Sequence, residues 1–236
     1  MPRTGPASSI SLTISTPYGP VHGRWSPAAV TRAAAILVPD SVGAQATSFS
    51  LFDELAARIQ RSGVSVLQLE HCAEGFDERL ARLLSLLAAL RRQGVERVAL
   101  IGWHSGASLA IAAGSVSESV TGVAALAPDV SAADVVADLA PRRLLLLHGS
   151  VDTVTPVAGS RMLYARAGDP RELVIFPGEL HDFSVFHDEA LEKLTIWART
   201  LLRCPFKPHK SHRDLVDARE VTPVASADPV ALPSTF

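Results

Sequence analysis

Six places along this chain put a group able to move protons where an apolar run gives way to a loop. In order they are Asp40, His71 with Cys72, His104, Asp129, Asp152 and His181. Imidazole, carboxylate and thiol are the side chains from which general acids, general bases and nucleophiles are made. Three of the chain's eight histidines belong to this set, in a sequence otherwise rich in alanine, leucine and valine. Some members have plainer readings: Asp129 in "APDVSAADVV" caps a short helix, and Cys72 is a small buried hydrophobe. His148, in "LLLLHGS", reads as a structural group bonded to backbone, and Trp103 as core packing. The most informative stretch is "VALIGWHSGAS" at 98–108, where His104 and Ser105 stand side by side between Gly102 and Gly106.

These groups need elements to carry them, and the hydropathy pattern supplies them. "ISLTIST" and "GPVHGRW" flank a Pro-Tyr-Gly turn and predict an opening antiparallel hairpin. Apolar runs of strand length follow at 33–40, 64–71, 95–103, 120–128, 142–150 and 171–178. Helical periodicity lies between them at 48–61, 76–94 and 107–114, and again at 188–202. In 76–94, Phe76, Leu80, Leu83, Leu87 and Leu90 form one stripe, acids come early, Arg91 and Arg92 come late, and Gly94 stops the helix. Thr155 and Pro156 read as an N-cap and first helical residue. Strand and helix in alternation predict an α/β fold, a mostly parallel eight-stranded sheet with the hairpin at its start and helices on both faces. In such sheets ligands sit beyond the carboxyl ends of the strands, which is where the polar set falls.

Composition bounds the rest. The 236 residues carry a formal net charge of −2, which argues against a nucleic-acid or anionic-membrane surface. Two cysteines without a CxxC suit a reducing compartment, and the N-terminus lacks the apolar stretch of a signal peptide. A cytoplasmic protein acting on a small-molecule substrate is expected, with no membrane span, no nucleic acid and no cofactor; oligomeric state is left open. Residues 1–203 read as one domain. Residues 204–236 hold five of the sixteen prolines with little apolar periodicity, and read as a disordered tail.

Two further stretches carry a specific resemblance. In "HGSVDTVTP", His148, Gly149, Asp152 and Pro156, and in "FPGELHDF", Gly178, His181 and Phe183, resemble the acid and histidine loops of the α/β-hydrolase family. The likeness is to its small dienelactone-hydrolase-like and esterase-like members and covers roughly residues 8–203. It implies the α/β-hydrolase fold, acyl-transfer chemistry, Asp152 as the acid and His181 as the base, following a nucleophile elbow in chain order. It also implies oxyanion donors at the backbone N–H groups of Ser41 and Ser105.

The elbow departs from that pattern. G-x-S-x-G needs small residues two before and two after its apex; Gly102 and Gly106 satisfy this for His104, whereas Ser105 would need Trp103 to be small. His104 is therefore expected at the apex, with Ser105 kept as an alternative nucleophile. A histidine there leaves several chemistries open: direct attack through an acyl-imidazole, activation of water with His181 and Asp152, or a divalent metal on the same three groups. Asp40 stands where an oxyanion donor is usual, and "LEHCAEG" replaces a glycine-rich turn. The expected function is hydrolysis of an ester, thioester or lactone of a small molecule. The alternative is a non-hydrolytic relative using the pocket for binding or for acid–base lyase or cyclase chemistry. The segment 129–141 has room for only a minimal lid.

Overall fold

A computed structural model describes residues 9–28, 32–41, 46–71 and 75–203. The chain opens with strands β1 (Ile10–Thr16) and β2 (Gly19–Ser26), paired antiparallel from Ile10 with Trp25 to Thr16 with Gly19. There follow β3 (Ala33–Val38), helix α1 (Ala46–Arg61), β4 (Ser65–Leu69), α2 (Phe76–Arg92), β5 (Arg97–Trp103) and α3 (Ser105–Val116). The last third adds β6 (Val120–Leu126), β7 (Arg143–Gly149), α4 (Val157–Arg166), β8 (Arg171–Phe176) and α5 (His187–Arg203). One eight-stranded sheet results, in the order β1-β2-β4-β3-β5-β6-β7-β8, antiparallel along β1, β2 and β4 and parallel from β4 onward.

This order has a consequence for function. From β3 the chain steps outward to β4 and then crosses back to β5 on the other side of β3. At such a switch the connections after neighbouring strands run to opposite faces and leave a crevice at the strand ends. The two strands flanking it here are β3, followed by Asp40, and β5, followed by His104.

The strands are apolar at nearly every position because both faces are covered. In β3, Ala34, Ile36 and Val38 point into a core shared with α2, α3 and α4, while Ala33, Ala35 and Leu37 point into a second core under α1 and α5. Helix α3 lies nearest the sheet. Its small residues allow this: a Cβ on Gly114 would fall 2.7 Å from Val123 Cγ2.

Boundaries differ from the sequence reading by one or two residues at most ends. Helix α4 begins at Val157 after Pro156, and the Thr155 side chain does not cap it; Thr155 Oγ1 is buried without a partner. The segment 129–141 is short, in keeping with a minimal lid. It folds through a 3-10 turn at Val136–Leu139 and buries Ala132, Val136 and Leu139 in the core beside α3. Among the described residues no helix is long and apolar enough to cross a membrane. Cys72 and the expected tail, 204–236, lie outside the described residues.

Candidate active site

Between the end of β5 at Trp103 and the start of α3 at Ser105 stands one residue, His104, with φ 51° and ψ −116°. A non-glycine residue with positive φ is held there by its surroundings. Its N–H donates to Leu126 O at 2.9 Å and its carbonyl accepts the Ala107 N–H at 3.0 Å. The flanking glycines are required by close approach: a Cβ on Gly102 would lie 2.3 Å from Gly106 O, and one on Gly106 would lie 2.3 Å from Val38 O. His104 is thus the apex of the turn, and Ser105 is the first residue of the helix. Trp103 packs edge-on against Phe52 and Phe183 in the core, as expected.

Asp152 and His181 meet beside it. The Asp152 side chain is fully buried, and its Oδ1 accepts the N–H groups of Val154 and Thr155, both at 2.8 Å. Oδ2 accepts from His181 Nδ1 at 2.7 Å, which leaves His181 Nε2 as the basic nitrogen. A second imidazole approaches the same oxygen, with His148 Nε2 at 3.3 Å. His148 Nε2 also lies 2.8 Å from Thr155 O, an acceptor only, so this nitrogen carries the proton and Nδ1 accepts from Ser160 Oγ at 2.7 Å. Burial pushes the His148 imidazolium below its ordinary pKa, so the ring is a neutral brace for the acid loop. His148 thus bonds backbone at Thr155 O and has two side-chain partners besides, Ser160 and Asp152.

The rings of His181 and His104 face each other edge to face, centroids 5.3 Å apart at 84°. His104 has a carboxylate of its own. Its Nδ1 lies 3.2 Å from Asp40 Oδ1, an ion-pair distance off the direction of a well-formed hydrogen bond. Asp40 raises the His104 imidazolium above its ordinary pKa against the opposing effect of burial, with help from the charges of Asp129 and Asp152. Burial alone would raise the Asp40 carboxyl. The contacts from His104, Ser105 and the Ser41 N–H hold it far below the usual carboxylate range instead.

Ser105 is occupied elsewhere than the sequence suggested. Its hydroxyl donates to Asp40 Oδ1 at 2.5 Å and receives the Ser41 N–H at 3.1 Å and Arg79 Nη1 at 3.0 Å. It makes no hydrogen bond to His181, and it does not cap the helix. The Ser41 N–H, expected as an oxyanion donor, is spent on Ser105 Oγ and on Asp40 Oδ1 at 2.6 Å. His71 Nδ1 donates to Asp40 O at 2.7 Å and so braces the same turn. Asp129 Oδ1 accepts from Ser131 N–H and Ser108 Oγ, in keeping with a turn-capping role. Among the described residues no three His, Cys, Asp or Glu side chains are arranged to hold a metal ion, and that includes His104, His181 and Asp152.

The sequence matches no protein-family model and no curated protein. Solved structures resemble it in fold. A dienelactone hydrolase from Anabaena variabilis superposes with a TM-score of 0.74 at 15% identity, over 84% of this chain and 100% of that one. A lidless α/β serine hydrolase from Xanthomonas campestris gives 0.68 at 18% identity, over 85% and 98%. An esterase domain from Rhodothermus marinus gives 0.70 at 16% identity, over 83% and 99%. The chain has the α/β-hydrolase fold.

On this α/β-hydrolase fold, two residues at the site were not singled out by the sequence. Arg79 is buried at 7% exposure and donates to Ser105 Oγ and to Pro39 O at 2.9 Å. A signal was available: Arg79 lies three after Phe76 and four before Leu83, on the apolar stripe of α2 where a cation needs a reason to be. Glu179, also fully buried, had no such signal in "FPGELHDF". A cavity of about 90 Å³ lies beyond Arg79, bounded by Val38, Pro39, Leu69, His71 and Leu83; it adjoins the Asp40 network and not His181.

Proposed function

We propose that this chain, through residues 1–203, hydrolyses an ester, thioester or lactone of a small molecule by direct attack of water. The observation that carries the reading is the facing pair of imidazoles, each with its own carboxylate: His181 with Asp152 at 2.7 Å and His104 with Asp40 at 3.2 Å. Neighbouring titratable groups held in different environments are the usual means of dividing acid and base work. His181 Nε2 takes a proton from water as the water oxygen bonds to the acyl carbon. The carbonyl oxygen becomes an oxyanion, stabilised by the His104 imidazolium and the Ser105 backbone N–H. Collapse breaks the bond to the leaving oxygen or sulfur, which takes the proton back from His181. In this mechanism no acyl-enzyme forms: His104, paired with Asp40, holds a proton instead of attacking, and the Ser105 hydroxyl is engaged by Asp40, Ser41 and Arg79. Dienelactone hydrolase and esterase domains among the structural neighbours agree with this substrate class.

The test is p-nitrophenyl acetate turnover with rapid quenching and mass measurement. Turnover without a burst and without an acyl increment is expected, with His181→Ala reducing the rate about 10²–10⁴-fold. An acyl adduct on Ser105 or His104 would overturn the water mechanism. Loss of activity in Ser105→Ala but not in His104→Ala would overturn the assignment of the apex role.

One observation favours a second reading. The Ser41 N–H is already taken by Asp40 and Ser105, so an oxyanion has one ordinary donor fewer. A chain with no turnover of any acyl substrate would instead use His181 as base and the His104 imidazolium as acid in elimination or cyclisation.

A further inference from the structure

Glu179 is fully buried and belongs to neither imidazole–carboxylate pair. Its carboxylate accepts main-chain N–H groups: Leu180 at 2.9 Å and Val185 at 3.2 Å on Oε1, and Phe186 at 2.5 Å on Oε2. The loop these bonds close runs from Leu180 to Phe186 and carries His181. It is held in an uncommon shape, with Phe183 at φ 53° and its ring packed against Trp103 and Phe176. The main chain of Glu179 does a second thing. Its carbonyl accepts the Val151 N–H at 3.1 Å, one residue before Asp152. A Cβ on Gly149 would fall 2.3 Å from that carbonyl and 2.5 Å from Leu180 O, so the acid loop and the histidine loop are in close contact at this residue.

A buried carboxylate is costly unless its oxygens are satisfied, and a space-filling apolar side chain would avoid the cost. Three N–H groups divided over two oxygens require two acceptors. A carboxylate offers that, whereas glutamine of the same shape has one acceptor oxygen and would turn an NH₂ toward an N–H. We infer that Glu179 is the positioning residue that sets the His181–Asp152 hydrogen bond, its side chain fixing the loop of the base and its carbonyl docking that loop on the loop of the acid. The inference rests on the reading of His181 as the working base.

The test uses the full chain with Glu179→Gln and, as a second route, Val185→Pro, which removes one of the bound N–H groups without altering Glu179. Three readouts are taken: thermal midpoint, the low-field proton NMR signal of His181 Nδ1–H, and kcat and KM for p-nitrophenyl acetate. Misplacing a reacting group by about 1 Å costs roughly 10²-fold, so a 10- to 100-fold fall in kcat is expected for Glu179→Gln with KM within about 2-fold. The His181 signal should broaden or move upfield, and Val185→Pro should give a smaller change in the same direction. A lowered midpoint with an unchanged signal and an unchanged kcat below the melting range would overturn the inference, leaving Glu179 only a stabilising role. A wild type without ester turnover would refute the proposed hydrolysis, and the NMR signal would still decide the role of Glu179.

Discussion

Gly106→Ala adds a single carbon where the first turn of α3 crosses the end of β3. Its Cβ would lie 2.3 Å from Val38 O and 2.4 Å from Pro39 O. Carbon–oxygen contacts ordinarily stop near 3.3 Å, so roughly 1 Å of separation must be found. Neither obstacle is a flexible side chain; both are backbone, one at Val38, the last residue of β3 and paired with Gly102 of β5, the other at the proline that follows. Overpacking costs about 1–3 kcal/mol, and with backbone on both sides the upper end, about 3 kcal/mol, applies. For a domain of this size each kcal/mol lowers the midpoint by about 2–4 °C, so a fall of about 6–12 °C is expected by circular dichroism. Activity should suffer as well, because Pro39 leads into Asp40, which contacts both His104 and Ser105. A 1 Å shift there predicts a loss of roughly 10²-fold in p-nitrophenyl ester turnover. Gly75→Ala is the control, since the nearest atom to its Cβ is Glu78 Oε2 at 3.5 Å. Should Gly106→Ala melt within about 1 °C of wild type and keep its rate, the close approach that makes His104 the apex would be refuted.

Two other predictions address the charges. Asp152→Asn should reduce ester turnover about 10²–10⁴-fold with the circular dichroism spectrum unchanged, because the amide offers His181 Nδ1–H a poorer acceptor and lets the wrong tautomer form; equal rates would remove Asp152 from the mechanism. The Asp40–His104 contact should make stability depend on pH in a defined window. His104 has its folded pKa raised, so its contribution is complete below the unfolded value near 6.5 and is lost as pH rises through the folded one. Asp40 has its folded pKa depressed, so its contribution is present above the unfolded value near 3.8 and is lost as pH falls. The gap in urea midpoint between wild type and Asp40→Asn should therefore be widest near pH 5–6 and narrow by pH 9. A gap that does not change over that range would show that the two groups are not coupled.

The fold was legible because strand and helix obey different periods. "AAAILV" buries on both faces and cannot be a surface helix of that length, and the stripe from Phe76 to Leu90 can be nothing else. That Asp152, His181 and His104 come near one another was legible for a related reason, each following a strand of the parallel sheet. What could not be read were partners set by long-range geometry. "GWHSG" does not say which way the Ser105 hydroxyl turns, since Asp40 and Arg79 come from elements 65 and 26 residues away. Nor does "FPGELHDF" say that its glutamate turns inward, because three main-chain N–H groups leave no trace in residue type. Length alone does not say how a connection packs: 129–141 is short enough for only a minimal lid, and Val136 and Leu139 are drawn into the core.

Asp40 and His104 have to be read as one unit. A carboxylate beside a developing oxyanion opposes it, so Asp40 is harmful to acyl chemistry on its own and tolerable only next to a cation. In the proposed mechanism a protonated His104 supplies that cation at 3.2 Å, and Arg79 adds a second positive group on the far side of Ser105. This makes the effect of restoring a hydroxyl at the apex conditional. His104→Ser puts a nucleophile beside His181 but removes the imidazolium and leaves the carboxylate in the hole, with the Ser41 N–H still bound to it. That variant alone should accumulate little acyl-enzyme. Asp40→Gly alone relieves the Ser41 N–H of the nearer of its two acceptors, leaving Ser105 Oγ, while the apex still lacks a hydroxyl, and should likewise show no adduct. Combined, the two changes supply a hydroxyl and release the Ser41 N–H from the carboxylate, so that it can turn from Ser105 Oγ to an oxyanion, and each oxyanion donor is worth about 10²–10³-fold. The double variant should therefore acylate faster than the product of the two single effects, by about that factor, as read by the mass increment after reaction with p-nitrophenyl acetate. Independent effects of the two substitutions would mean that the carboxylate and the imidazole at the elbow do not share a function.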